Sequence, residues 1–284
     1  MVAKKYKKNY KKKLGRYMRV FYQKYPFLRR YLRLVVKEDF FFKTRFSGWG
    51  MMTEHELPWT DDYNGEIFRK AAEDIKKKFR LNVCNVHSGN IDELLWRHWN
   101  VSTAIRYAIN FSNTNEYNFV ECGVGPGVST FFALREISGQ QKIKKFTMHL
   151  YDAWNVMREE QLLESELDGI GEYKDLDINI SRENLSEFHE DLVFHQGYIP
   201  ESFKSSPAAP NSILYLHIDL NSAKATLNAL EFFFPRLVGG AVILFDDYGW
   251  IGYKDTKKIV DEFFHNKTGI LMKFPTGQAL YLHR

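Results

Sequence analysis

The segment of residues 212–249 constrains the fold more than any other part of the chain, and it reads SILYLHIDLNSAKATLNALEFFFPRLVGGAVILFDDYG. Its aliphatic runs at residues 213–220 and 241–245 are typical of buried strands, and the residues between them predict a helix. Two strands joined by one helix are almost always parallel, with a right-handed crossover. We therefore expect both strands to end at the same edge of one sheet.

The predicted helix between these strands has an apolar face at helical spacing, formed by Leu227, Leu230, Phe234 and Leu237. We expect Pro235 to loosen its last turn, and Gly239 and Gly240 to end it. The glycine pair would then separate the helix from the second strand.

Acidic residues occur at the ends of both strands. Asp219 lies near the end of the first strand, and Asp246 and Asp247 follow the second. Open α/β sheets bind their ligands in the crevice outside the carboxyl ends of the strands. We therefore expect the three carboxylates to converge there, although any one of them could instead cap a helix or a turn.

A glycine-rich turn lies between an earlier strand, residues 117–122, and a helix that begins near residue 128. Its pattern is E-x-G-x-G-x-G, formed by Glu121, Gly123, Gly125 and Gly127. Glycines allow a ligand to approach the backbone, and a helix N-terminus offers free N–H groups. A dinucleotide fingerprint would need glycine at position 128, where this chain has valine. The turn favours a nucleotide site, although such a turn can also be purely structural.

The next strand, residues 146–151, ends in Asp152, and an acid in that position suits the hydroxyls of a ribose. Asp152 could otherwise cap a loop. A third strand, residues 192–195, precedes Gly197 and Tyr198. The tyrosine ring could stack near a purine, or it could belong to the core.

Ser181 is expected to cap a helix before the third strand, and residues 254–265 predict a further helix. Two strands, residues 270–274 and 279–282, then close the chain around a four-residue hairpin loop. The last strand would be antiparallel on a mainly parallel sheet.

Residues 38–90 contain loops rich in glycine, tryptophan and proline, followed by a predicted helix at residues 67–79. Loops of this kind often cover an active site, which makes His55 and Trp59 candidate substrate contacts. We favour the alternative that the tryptophans anchor the loops to the core.

Asn90 is a suitable N-cap for a helix over residues 91–110. Arg97 and His98 on this helix could face a ligand. A lone histidine on such a helix more often has a structural role.

The charge distribution divides the chain into a basic arm and an acidic body. Residues 1–37 contain 14 of the 40 lysines and arginines and no acidic residue, and aromatic side chains recur among them at near-helical spacing. Such a basic helix could lie on an anionic membrane surface or bind nucleic acid. We favour the alternative that its aromatic stripe packs on the body of the protein or on a partner subunit.

The composition indicates in which cellular compartment the protein is expected. Two cysteines do not form a disulfide framework, which favours a reducing compartment. No stretch approaches the ~20 apolar residues of a membrane span, and the N-terminus lacks the apolar core of a signal peptide. We expect a cytoplasmic protein, with peripheral attachment to a membrane through the basic arm as an alternative.

The strand–helix alternation, the glycine turn, Asp152 and the terminal hairpin together resemble the class I S-adenosylmethionine-dependent methyltransferases. The segment HIDLNSAKATLNALEFFFPRLVGGAVILFDDYG narrows the resemblance to the macrocin O-methyltransferase family, whose members methylate sugar hydroxyls. The segments GYIPESF (residues 197–203) and PTGQALYL (residues 275–282) are similar to that family's sequences in the matching places. The resemblance covers residues 90–284 and leaves out the basic arm.

The resemblance implies an α/β fold with a Rossmann-like, doubly wound, mainly parallel sheet and a C-terminal antiparallel hairpin, preceded here by a basic N-terminal helical extension. We expect a basic aromatic helical arm at residues 1–37, and a loop and helix lead-in at residues 38–90 that could cover the active site. An S-adenosylmethionine-binding methyltransferase domain would occupy residues 91–284.

The resemblance also implies contacts to S-adenosylmethionine from Glu121, Gly123, Gly125, Gly127, Ser129, Asp152, Gly197 and Tyr198. Asp219, Asp246 and Asp247 match the family's ligands for a divalent cation. Mg²⁺ is expected, since clustered carboxylates repel one another unless a cation joins them, and oxygen ligands suit this ion. Asp219, Asn221 and His217 are the predicted catalytic residues.

One position departs from the family pattern, which often has Asp-x-Asp after the fourth strand, with the second Asp as a candidate base. Here that position is Asn221, which cannot usefully accept a proton at neutral pH. Either the cation contributes more to activation of the substrate hydroxyl, or another base serves. The alternative bases are His217, His55 and Lys254.

The predicted function is therefore a metal-dependent O-methyltransferase that acts on a sugar, a polyol or a glycosylated small molecule or glycan. A nucleic-acid methyltransferase steered by the basic arm is an alternative. Amino-methylating DNA enzymes, however, carry a Pro-Pro-aromatic motif after the fourth strand, and residues 220–222 contain no proline. A cofactor-binding scaffold without activity is a third hypothesis, which the three intact acids argue against. The oligomeric state is open, and a homo-oligomer is one alternative.

Overall fold

The computed structural model describes the following residues of one compact unit, Leu57–Arg284: 57–60, 62–81, 91–250 and 252–284. The predictions for the basic arm, for His55 and for Asn90 as an N-cap lie outside the described residues. None of the described helices is both long and apolar enough to cross a membrane.

Seven strands form one sheet: β1 (Asn118–Cys122), β2 (Thr147–Asp152), β3 (Leu192–Gln196), β4 (Ile213–Ile218), β5 (Leu237–Phe245), β6 (Gly269–Lys273) and β7 (Ala279–His283). Their order in the sheet is β3-β2-β1-β4-β5-β7-β6. The neighbours from β3 to β5 are parallel, whereas β7 is antiparallel to both β5 and β6. The predicted Rossmann-like sheet with a C-terminal antiparallel hairpin is confirmed.

The described residues form six α-helices: α1 (Tyr63–Lys78), α2 (Leu95–Phe111), α3 (Val128–Gly139), α4 (Ile178–Asn184), α5 (Ala223–Phe233) and α6 (Lys254–Phe264). Helix α5 is the crossover between the parallel strands β4 and β5, as the pattern of residues 212–249 predicts. The crossover rule therefore places the ends of these two strands at one sheet edge.

Hydrophobic side chains cover both faces of the sheet. One core cluster includes residues of α1, α2 and α3, where the rings of Phe68 and Phe132 stack with centroids 4.8 Å apart. A second cluster includes Phe233 of α5 and Phe264 of α6. Trp59 is buried in the first cluster, which confirms that this tryptophan anchors its loop to the core. Residues before the predicted domain start at residue 91 thus share the core of the sheet.

The predicted end of the crossover helix is wrong. Helix α5 stops at Phe233, a 3-10 turn follows at Phe234–Arg236, and β5 already begins at Leu237. The proline at the second position of this turn ends the α-helix earlier than expected, because proline removes a backbone donor. Leu237 is therefore a strand residue and does not belong to the apolar face of the helix.

Gly239 and Gly240 lie inside β5 and do not end a helix. Gly240 has a φ of 82°, and a Cβ atom there would lie 2.1 Å from the carbonyl oxygen of Phe111 at the end of α2. The amide of Asn113 donates a hydrogen bond to the carbonyl of Gly239 at 2.8 Å. Gly240 thus allows the end of α2 to approach the strand closely.

The predicted role of Ser181 as a helix cap is also wrong. Asp177 caps α4 by accepting a hydrogen bond from the amide of Asn179 at 2.8 Å. Ser181 lies within the helix and is buried, and its hydroxyl donates to the carbonyl of Gly125 in the glycine turn at 2.6 Å.

Replacement of Gly240 by alanine should destabilise the protein by about 2 kcal/mol or more, because a side chain is strained at positive φ and meets the Phe111 carbonyl. Gly239→Ala is the matched control, since no atom of the described residues lies within 4 Å of a Cβ at that position. Its stability should stay within about 0.5 kcal/mol of the wild type. Urea unfolding measures both, and equal midpoints for the two variants would contradict this account.

Candidate active site

The three acids predicted to meet do converge at the carboxyl edge of the sheet. Asp219 directly follows β4, and Asp246 and Asp247 directly follow β5. Because Ile218 pairs with Phe245, the two parallel strands end at the same level. One carboxylate oxygen of each acid lies within 4.8 Å of the other two.

Burial and mutual repulsion oppose full ionisation of this acid cluster, which we define as Asp219, Asp246 and Asp247. Burial and the neighbouring carboxylates raise the pKa of Asp219 well above its usual value, and burial with the charge of Asp246 raises the pKa of Asp247 to about 7. Burial acts on Asp246 in the same direction, but Arg97 and His217 outweigh it and lower the pKa of that carboxyl. The cluster can therefore accept further positive charge beside Asp219 and Asp247.

Arg97 of α2 reaches into the acid cluster. Its Nη2 donates to a carboxylate oxygen of Asp246 and, at 2.9 Å, to the backbone oxygen of the same residue. The same nitrogen lies 3.6 Å from Asp247 Oδ1, and Nη1 donates to the carbonyl of Thr276 at 3.1 Å. The sequence suggested that Arg97 could face a ligand. In the structure its guanidinium binds the carboxylate of Asp246.

Gln278, at the end of the hairpin loop, is a second support that sequence reasoning missed. Its Nε2 donates to Asp246 Oδ1 at 2.8 Å, while its Oε1 accepts from Asn100 Nδ2 of α2 at 2.9 Å. The glutamine therefore ties the hairpin, α2 and Asp246 together. The PTGQ segment predicts the hairpin loop. It does not indicate that Gln278 contacts Asp246.

Glu121 and His217 form a buried pair beneath the site, each with 1% of its surface exposed. The Glu121 carboxylate accepts from the hydroxyls of Ser129 and Thr130 and lies 3.1 Å from His217 Nδ1. Burial opposes a charged imidazole, but Glu121 and Asp246 outweigh it and raise the pKa of His217. In this conformation Glu121 supports the first turn of α3, and the burial of His217 argues against its direct use as a base.

The carboxylate of Asp152 binds the backbone amides of the glycine turn. One carboxylate oxygen of Asp152 accepts from the amides of Val124 and Gly125 at 2.8 and 2.9 Å, and the other accepts from the amide of Trp154 at 2.6 Å. Gly125 has a φ of 55°, and no atom of the described residues lies within 4 Å of a Cβ placed there. The turn thus has open space at Gly125, which fits a bound cofactor.

The opposite side of the turn is fixed by three side chains, and sequence reasoning assigned none of them to the site. Ser181 Oγ donates to the carbonyl of Gly125 at 2.6 Å, and Trp154 Nε1 donates to Ser181 Oγ at 2.7 Å. Asn184 Nδ2 donates to the carbonyl of Pro126 at 2.9 Å. The turn is therefore preorganised by α4 and by the loop after β2.

Gly197 and Tyr198 continue the same edge after β3. The amide of Gly197 donates to the carbonyl of Asp152 at 2.9 Å, which joins the ends of β2 and β3. The Tyr198 hydroxyl donates to the carbonyl of Val156 at 2.7 Å, and the Arg158 guanidinium lies 4.0 Å from the tyrosine ring centroid. Their predicted roles in cofactor binding are compatible with this placement and remain predictions.

Two backbone positions connect the turn with the acid cluster. A Cβ on Gly123 would lie 1.8 Å from the carbonyl oxygen of Asp219, so only glycine permits this approach. Asn221 has a φ of 52°, a left-handed conformation that asparagine and aspartate tolerate better than most residues. Asn221 therefore suits the left-handed backbone conformation of this loop, although its side chain cannot act as the base.

Comparison with known proteins agrees with this architecture. Residues 120–248 match the family model described as a methyltransferase domain. The solved structure of the O-methyltransferase NovP is similar with a TM-score of 0.61 at 14% identity, over 78% of this chain and 98% of that chain. The calicheamicin methyltransferase CalS11 is similar with a TM-score of 0.55 at 12% identity, over 84% of this chain and 98% of that chain. Comparison with curated proteins gave no match.

Replacement of Gly125 by alanine should weaken S-adenosylmethionine binding by about tenfold or more, because the methyl group fills space that the cofactor is expected to use. Gly171→Ala is the matched control: Gly171 is exposed, has a φ of 80°, and has no described atom within 4 Å of a Cβ. Both variants carry similar backbone strain of about 1 kcal/mol. Calorimetry measures the two affinities, and equal values would show that the open space at Gly125 is not the cofactor site.

Proposed function

We propose that this chain, an S-adenosylmethionine-dependent methyltransferase, transfers the methyl group to a hydroxyl of a sugar, a polyol or a glycosylated compound. Asp219, Asp246 and Asp247 would hold Mg²⁺ or another divalent cation. The observation that carries the proposal is the convergence of these carboxylates next to the glycine turn. The similar structures of an O-methyltransferase and of a calicheamicin methyltransferase support transfer to an oxygen of a natural product.

The acid cluster and the glycine turn are adjacent through the backbone. The amide of Asp219 donates to the carbonyl of Cys122 at 2.8 Å, directly before the turn, and Gly123 faces the Asp219 carbonyl. A methyl donor bound at the turn would therefore lie beside a hydroxyl bound at the acids. Such placement of two reactants lowers the entropic cost of bringing them together.

The acid cluster fits a divalent cation by its chemistry. Hard cations such as Mg²⁺ prefer oxygen ligands, and three carboxylates offer them within one small region. When bound, the cation would supply positive charge that makes a nearby hydroxyl more acidic. Since Asn221 cannot accept a proton and His217 is buried, the cation would favour loss of the hydroxyl proton, which would pass to solvent or to a carboxylate of the acid cluster.

The role of the basic arm, residues 1–37, is a separate proposal. Its charge suits attachment of a cytoplasmic enzyme to an anionic membrane surface or to a partner protein. The described residues add no observation that favours nucleic acid as the substrate.

The acceptor class can be tested by incubating the enzyme with S-adenosylmethionine labelled in its methyl group. The acceptors would be a panel of glycosides, nucleotide sugars and polyols, with transfer RNA and oligonucleotides as a second panel. We expect label on a hydroxyl of a member of the first panel. Label found only on nucleic acid would overturn the proposal.

Asp219→Asn should lower methyl transfer by about 100-fold or more while S-adenosylmethionine binding survives, because the change removes a cation ligand and keeps the side-chain shape. EDTA should abolish the methyl-transfer activity of the wild type, and added Mg²⁺ or Mn²⁺ should restore that activity. Asp92→Asn is the control, since this acid lies before α2 with 63% of its side chain exposed. Full activity of metal-stripped enzyme in EDTA would show that no cation is needed.

A further inference from the structure

Arg97 is the basic side chain in closest contact with the acid cluster among the described residues. It is 12% exposed and binds Asp246 through both the carboxylate and the backbone oxygen. Its second nitrogen is held by the Thr276 carbonyl of the hairpin loop. The guanidinium therefore has a defined position where positive charge is most favourable.

Arg97 does not contact the three acids equally. Arg97 contacts Asp246 closely, lies 3.6 Å from Asp247, and makes no hydrogen bond to Asp219 among the described contacts. No basic side chain among the described residues hydrogen-bonds to Asp219, and a cation between the carboxyl groups of Asp219 and Asp247 would relieve their mutual repulsion. A divalent cation bound among the acids would need an oxygen of Asp246, where Arg97 donates to Oδ2 and Gln278 donates to Oδ1.

Arg97 also has an aromatic neighbour outside the cluster. Its guanidinium carbon lies 5.5 Å from the ring centroid of Trp250, which is 52% exposed. Arginine binds aromatic faces by a cation–π interaction, and such a contact can hold the side chain after it leaves a carboxylate. The Trp250 ring therefore already contacts the guanidinium and would still be a neighbour if the contact with Asp246 were lost.

We propose that Arg97 is an internal counter-cation that closes the acid cluster when no divalent cation is present and is displaced when one binds. This inference rests on the proposed cation site. Because the guanidinium and the cation compete for Asp246, Arg97 sets the cation concentration at which the site fills. It acts on the reaction as a positioning residue, through the cluster.

The test is Mn²⁺ binding to the full chain without substrate, measured by electron paramagnetic resonance and calorimetry. Arg97→Gln removes the charge and keeps a hydrogen-bond donor for Asp246, so it should bind Mn²⁺ about tenfold more tightly than the wild type. Arg97→Lys keeps the charge and should stay within about threefold of the wild type. Arg106→Gln is the matched control on the same helix, where Arg106 pairs with Glu136, and its affinity should not change.

The possible results distinguish failure of the Arg97 inference from failure of the proposed cation site. Equal or weaker binding by Arg97→Gln, with clear binding by the wild type, would overturn the competition and leave the cation site standing. Failure of both proteins to bind Mn²⁺ would overturn both. A melting temperature measured with and without Mn²⁺ is the second readout, and the gain on adding the ion should be larger for Arg97→Gln. An equal gain in the two proteins would also overturn the competition.

Discussion

Repulsion among carboxylates at the ends of β4 and β5 is the constraint to which the surrounding structure responds. The parallel crossover brings these acids together, and each compensating group arrives from a different element. Arg97 comes from α2, Gln278 from the hairpin and His217 from β4. Since removal of one partner leaves a buried charge uncompensated, the stability of the cluster depends on correct packing of all three elements.

The start of α3, next to the glycine turn, and the acid cluster are connected through buried side chains as well as through the backbone. Thr130 at the start of α3 donates to Glu121 at 2.6 Å, and Glu121 lies 3.1 Å from His217. The other nitrogen of His217 lies 4.0 Å from Asp246 and has no hydrogen-bond partner among the described residues. A change of charge at Asp246 therefore acts through His217 on Glu121, which supports the first turn of α3.

Local patterns predict the sheet and the meeting of the acids because period, strand length and crossover handedness are properties of neighbouring residues. They fail where a distant segment decides the conformation. Gly240 is required by a carbonyl of α2 and Ser181 by the glycine turn, so both were misread as helix signals. Arg97 and Gln278 contact Asp246 from positions 149 and 32 residues away, and no local spacing encodes such contacts.

The composition of the acid cluster supports the proposal that its charge binds a cation. Neutral side chains fit at this edge, because an amide occupies position 221 and the amide of Gln278 packs against Asp246. Neutral residues at the positions of Asp219 and Asp247 would remove the repulsion and the desolvation that raise the pKa of both groups. Three clustered acids beside the Arg97 guanidinium do not improve the stability of the fold by themselves. The repulsion within the cluster costs stability, and functional sites commonly carry such a cost, which supports the proposed cation site.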